Sequence, residues 1–195
     1  MQTILLDFIS KYISLSKDEK CAIKTIYKFQ TLKKGTILLE EGQNSNEGYF
    51  ILKGCIRTYY IINGEEKTTA FYSKMEAFTP CCVVNKQPSN YFIICVEDSI
   101  VSIANHDLTI NVFEQFPKFE TLYRVLSEEL LAKSRYYFDE FKTSSPEQRY
   151  LSLLKNRPDL LKSVPQHQLA SYLGIQPQSL SRIRGRILKE TKIAC

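Results

Sequence analysis

The 195-residue sequence predicts an α+β protein with a helical start, an antiparallel β sandwich or jelly roll, a long helix, and a small basic helical unit at the C-terminal end. Three observations carry that prediction. Between residue 30 and about residue 105, short β-branched and aromatic runs are divided by turn residues at roughly ten-residue spacing. On either side of this zone the apolar residues return to helical spacing. The charge is also uneven: residues 1–142 hold 17 Lys plus Arg against 18 Asp plus Glu, and residues 143–195 hold 9 against 3, so the net +5 comes from a tail of +6 and a remainder of −1. A tail of that kind marks an appended unit that meets a polyanion.

The opening "MQTILLDFISKYISLSKDEK" puts Ile4, Leu5, Phe8, Ile9 and Tyr12 on one helical face. Ser16 caps a continuation through "LSKDEKCAIKTIYKF", so residues 3–29 are predicted helical. Asp7 and Lys11 interrupt the apolar run, which argues against a signal peptide or a membrane span and for a cytoplasmic protein without a membrane partner. The strand zone then supplies "GTILLEEGQNSNEGYFILKG", "CIRTYYIINGEEKTTAFY", "NYFIICVED" and "SIVSIA". Its clearest signal is the pair Asn63-Gly64, because a type I′ hairpin turn needs positive φ at both central residues.

After Asp107 the helical period resumes and runs through "FPKFETLYRVLSEELLAKSRYYFDEF". Leu122, Leu126, Leu130, Tyr137 and Phe141 follow one side, while Phe119, Tyr123 and Tyr136 widen the apolar surface. A helix of about 25 residues is roughly 37 Å long, more than a small sandwich needs for cover. Apolar on two sides, it calls for two partners: its own β domain and the same helix of a second subunit, which predicts a homodimer.

Ser144-Ser145-Pro146-Glu147 reads as a cap followed by proline at the first helical position, so a new unit begins there. "EQRYLSLLKN" forms a helix, and "RPDLLKSVP" reads as a turn and short extended segment. In "QHQLASYLGIQPQSLSRIRGRI", Leu169 and Leu173 face a core, Gly174 stops the first short helix, Ile175 plugs the corner and Pro177 restarts the chain. Leu180, Ile183 and Ile187 carry the inward face of the second helix. With Ala170 small enough for a close crossing, this is the spacing of a helix-turn-helix.

The outward face of that second helix shows Gln178, Ser179, Ser181, Arg182 and, farther along, Arg186. Amide and hydroxyl groups followed by arginine suit a helix lying in the major groove of double-stranded DNA. There Arg182 forks onto a guanine edge and Gln178 addresses adenine. Ser179, near the helix start, is placed for a phosphate. Arg184, Arg186 and Lys189 supply sequence-independent charge neutralisation.

A small β roll containing "KKGTILLEEGQNSNEGYFILKGCIRTYY", a long helix and then "LASYLGIQPQSLSRIRGRI" resembles the Crp/Fnr superfamily of bacterial transcription regulators over nearly the whole chain. The resemblance implies a cyclic-nucleotide-binding-type double-stranded β-helix at residues 1–115, a dimerisation helix at 116–143, and a winged helix-turn-helix at 144–195. It implies a homodimer on a palindromic operator, with RNA polymerase as a further partner. In the cyclic-AMP-responsive members an arginine and a glutamate open the base-contacting run and a second arginine follows one turn later. Here Pro177 and Gln178 stand in the first two places and Arg182 keeps the last, so a different operator is expected. Any wing must be built before the recognition helix, near 157–165, or be very short.

The family's effector cassette departs further. Members that bind cyclic nucleotide carry Gly-Glu opening a short helix, then Arg-Ser holding the cyclic phosphate. The matching window, "AFTPCCVVNKQPSNYFIICVED", has Thr79-Pro80 and Ser89-Asn90 in those places, with Cys81 between them. Thr79, Cys81, Ser89 and Asn90 are the candidate pocket residues. Without the arginine a phosphate loses its charge-assisted bidentate partner, and the ammonium groups of Lys74 and Lys86 replace a planar fork poorly. Cyclic AMP is therefore not expected as the effector.

Cysteines 21, 55, 81, 82, 95 and 195 show no paired metal-ligand spacing, and the two histidines, His106 and His167, fall in different zones. No metal, cofactor or enzymatic activity is expected, and the thiols are read as buried and reduced, with a redox role open for the vicinal Cys81 and Cys82. An alternative reading is a signalling adaptor, whose β domain binds a ligand or partner and whose C-terminal helices bind protein.

Overall fold

A computed structural model describes residues 1–193, with side chains through residue 189, so Cys195 lies outside the described residues. The chain divides into two compact units, Met1–Thr58 with Phe71–Ala132, and Tyr59–Ala70 with Lys133–Cys195.

In the first unit, α1 (Gln2–Ile9) and α2 (Lys17–Ile26) precede the strands. Residues 3–29 are thus not continuously helical. The Ser16 side chain accepts from Glu19 N while Glu19 returns to the Ser16 amide, a full capping box that fixes the start of α2. The chain turns extended at Tyr27, where β1 (Tyr27–Leu32) pairs with a distant strand; that pairing overrides the local helical pattern.

The strands that follow are β2 (Ile37–Leu39), β3 (Glu47–Lys53), β4 (Ile56–Ile62), β5 (Glu65–Tyr72), β6 (Ala77–Phe78), β7 (Phe92–Cys95) and β8 (Ser99–Asn105). They form two sheets, β1-β8-β3-β6 and β2-β7-β4-β5. β1 pairs antiparallel with β8, β2 with β7 and β3 with β6, while β4 neighbours β5. That order results when one long hairpin, folded at the β4–β5 tip, rolls up on itself: a jelly roll. The tip carries the predicted turn, with φ of 53° at Asn63 and 78° at Gly64.

β3 is buried on both faces from Tyr49 to Leu52. Phe50 and Leu52 join Leu5, Ile9, Ile23, Ile26, Val112, Phe119 and Leu122 in one core cluster, while Ile51 and Val101 are fully buried. The helices in this cluster are α1, α2, α4 (His106–Gln115) and the first part of α5 (Lys118–Thr143), which is set off from α4 by Pro117. Lys118 Nζ lies 2.6 Å from Glu19, which ties the capping box of α2 to the start of α5. At Gly54, with φ of +97°, a Cβ would sit 2.6 Å from Ser99 Cα, so only glycine fits.

In the second unit, Ser145 and Gln148 form the capping box of α6 (Pro146–Asn156), with proline at its first turn. A short helix, α7 (Pro158–Ser163), then occupies the segment where a wing or extended run was expected. Pro158 opens that helix, Asp159 sits in its positive first turn, and Leu160 is fully buried, so the segment coils rather than extends. Helices α8 (Gln166–Tyr172) and α9 (Pro177–Ile193) complete the unit. Its core includes Tyr150, Leu153, Leu160, Val164, Leu169, Ala170, Leu173, Leu180 and Ile183. Two thiols expected to be buried, Cys21 and Cys81, are exposed, whereas Cys55, Cys82 and Cys95 are buried.

Candidate nucleic-acid interface

Helix α8 ends in a Schellman motif. The Ile175 amide donates to Ala170 O and the Gly174 amide to Ser171 O, both at 3.0 Å, with Gly174 at φ +69°. Ala170 is fully buried at the crossing, as a close approach of two helices requires. The chain restarts at once: the amides of Ser179 and Leu180 donate to Gln176 O at 3.0 and 3.2 Å, opening α9 with Pro177 in its first turn.

Leu180 and Ile183 point α9 inward, at 1% and 9% exposure. Gln178, Ser181 and Arg182 are exposed, Ser179 and Arg184 are half-buried, and Arg186 is exposed. Gln178, Ser181 and Arg182 therefore share one stripe, opposite the buried one. Arg186 differs from its neighbours, because Nε donates to Glu147 Oε1 at 3.0 Å and Nη2 pairs with Glu147 Oε2. Its charge is thus already half-answered by the start of α6.

Gly185 continues the exposed stripe, and sequence reasoning missed it. A Cβ there meets no heavy atom within 4 Å and its φ is not positive, so nothing inside the chain requires glycine. A second missed residue is Arg149 on α6, whose guanidinium donates to three backbone carbonyls.

The four candidate effector residues differ in burial and in hydrogen bonding. Ser89 is buried, donates to Tyr91 O at 2.7 Å and accepts the Tyr91 amide at 3.3 Å, so its hydroxyl holds a turn. Asn90 and Cys81 are exposed and Thr79 is half-buried. The Cys81 amide, at the start of α3 (Cys81–Asn85), donates to the Tyr91 hydroxyl at 2.9 Å. Burial pushes the Tyr91 phenol well above its ordinary range, so it stays protonated. The Tyr72 ring stacks on Phe78, with ring centres 4.0 Å apart, and the Tyr49 ring centre lies 5.3 Å from that of Phe78. Lys74 and Lys86 are exposed; the buried cation of the strand zone is Arg57 in β4, at 2% exposure. Its place in a strand buried without alternation from Ile56 to Tyr59 gave no sequence signal.

A polar depression of about 340 Å³ lies beside Gln43, Ser45, Asn46, Glu47 and Asn105. Most of its polar groups serve the surrounding turns: Gln43 accepts from Glu40 N, Ser45 from Glu47 N, and Asn105 from Leu108 N. Among the described residues, no group of three or more His, Cys, Asp or Glu is placed to hold a metal, and no helix is long and apolar enough to cross a membrane.

Residues 29–116 match the family model of the cyclic nucleotide-binding domain. No curated protein sequence matches the chain. Among solved structures, FixK2 from Bradyrhizobium japonicum is similar at a TM-score of 0.72 and 12% identity, covering 85% of this chain and 86% of its own. A protein from Eubacterium rectale assigned to the Crp/Fnr family of transcriptional regulators gives 0.68 and 17%, covering 90% and 85%. The c-di-GMP-responsive global regulator CLP from Xanthomonas campestris gives 0.67 and 11%, covering 87% and 90%. Residues 29–116 are thus similar to a cyclic nucleotide-binding domain, and the chain shares its fold with these three solved structures.

Proposed function

We propose that the chain is a sequence-specific DNA-binding transcription regulator that acts as a homodimer on a palindromic operator. The observation that carries this reading is the two-sided character of α9: Leu180 and Ile183 buried, Gln178, Ser181 and Arg182 exposed together after a glycine turn. In this reading Arg182 and Gln178 address base edges, Ser179 meets a phosphate, and Arg184 adds charge. Leu131 and Phe138 on α5, 70% and 60% exposed, support pairing with the same helix of a second subunit. Two recognition helices then reach successive major grooves, about 34 Å apart. Residues 1–115 serve as the effector or scaffold domain, 116–143 as the dimerisation helix and 144–195 as the DNA-binding domain, with RNA polymerase a further partner in the cytoplasm.

The inward hydroxyl of Ser89 supports an effector other than cyclic AMP. Titrating a fluorescent mixed-sequence duplex at several salt concentrations tests the DNA reading, because each neutralised phosphate adds about −0.9 to the slope of log affinity against log salt. A steep slope that cyclic AMP leaves unchanged supports it. A flat slope supports a protein-binding adaptor instead.

A further inference from the structure

Two helix C-termini meet at one guanidinium in the second unit. Arg149 Nε and Nη2 donate to Leu173 O, at 3.2 and 2.8 Å, and Leu173 is the C-cap of α8. Arg149 Nη1 donates to Phe141 O at 3.1 Å and to Ser144 O at 2.7 Å, at the end of α5. Phe141 O lacks its ordinary helical donor, because the Ser145 amide is turned to Gln148 Oε1 at 2.8 Å in the capping box. The carbonyl ends of two helices carry partial negative charge, and a cation between them offsets both.

The packing around this cation is equally specific. The guanidinium carbon stands 4.6 Å from the centre of the Phe141 ring. That ring also reaches the Gly174 turn, where a Cβ would meet Phe141 Cζ at 2.9 Å and Cε2 at 3.0 Å. One side chain therefore joins the end of the long helix, the start of α6 and the turn that aims α9. A lysine has neither the fork nor the flat face for this, since an ammonium is a compact point charge.

We propose that Arg149 is a positioning residue for DNA recognition. It locks the α8–α9 turn to the end of α5, so that the separation of the two recognition helices in the dimer is set through this guanidinium. The proposal rests on the DNA-binding reading above. It also takes Arg149 out of the charge that meets phosphate, because its donors face carbonyls.

The test uses the full chain and synthetic palindromic duplexes built from a half-site selected by the wild type, at the selected spacing and at one base pair more or less. A mis-spaced duplex forfeits base contacts of one helix, so the wild type should prefer the selected spacing by about tenfold or more. Arg149→Lys should bind an isolated half-site within about twofold of wild type yet lose most of the spacing preference. A merely stabilising role would lower affinity for every duplex in proportion and leave the preference intact, and that result overturns the proposal. If Arg149→Lys does not fold, Arg149→Gln, whose single amide cannot donate to all three carbonyls, is read in the same way. Absence of sequence-specific binding by the wild type would sink the DNA reading itself, separately from Arg149.

Discussion

The Ser171 hydroxyl accepts the amide of Thr68 at 2.9 Å. It also donates to Glu66 O at 3.0 Å, so one side chain of α8 meets two backbone groups of β5, an edge strand of its sheet. An edge strand offers unpaired amides and carbonyls that must be covered or paired. Here a hydroxyl stands in for a neighbouring strand, which explains why the hairpin tip Tyr59–Ala70 belongs to the same compact unit as α8 and α9.

Replacing Ser171 by Ala removes an acceptor from an amide whose residue is 7% exposed, at a cost of about 1 kcal/mol. Urea unfolding should register that loss, and hydrogen exchange at the Thr68 amide should quicken. Unchanged exchange at Thr68 would mean the bridge does not hold the hairpin.

The Arg186–Glu147 pair is a brake on charge rather than a source of stability. With side chains 55% and 32% exposed, it contributes about 0–1 kcal/mol. Glu147→Gln should release the guanidinium for phosphate, raising DNA affinity at low salt and steepening the salt slope by about 0.9. Thermal stability should barely move. A slope equal to that of the wild type would show that Arg186 reaches no phosphate.

Gly185 gives a prediction with opposite signs. Alanine is better than glycine in a helix interior by about 1 kcal/mol, and nothing within the chain obstructs it. Gly185→Ala should therefore raise the melting temperature and weaken DNA binding, because the added methyl stands on the exposed stripe proposed to meet the duplex. Equal or tighter binding by the variant would remove Gly185 from the interface.

Acid should loosen the first unit through Glu19. Lys118 beside it and the Ser16 amide hold its carboxyl below the ordinary value of 4.5. A carboxylate depressed in the folded state adds stability that is present above its unfolded pKa and lost as pH falls through the folded one. Melting curves from pH 6 down past 4.5 should show a loss that Glu19→Gln shares less steeply. Parallel curves would deny Glu19 that role.

The sequence carried the local devices well. Asn63-Gly64, the Ser145-Pro146 cap and the Ala170–Gly174–Leu180 spacing each act within a few residues, so their residue types leave few conformations open. It carried long-range pairing poorly. Tyr27 continues a helical pattern and yet pairs with Ala104, a partner 77 residues away. "RPDLLKSVP" has helix-opening prolines and one buried leucine, too short a run to separate a turn from α7 by periodicity. Arg149 was invisible as anything but positive charge, because its three carbonyl partners gather only after α5, α6 and α8 have folded.

Selection of bound duplexes from a random pool, by the wild type and by Arg182→Ala, measures the reading of base edges directly. The expected result is a palindromic motif for the wild type, and loss of preference at one symmetric pair of positions for the variant. An identical motif from both proteins, or none from the wild type, would contradict it.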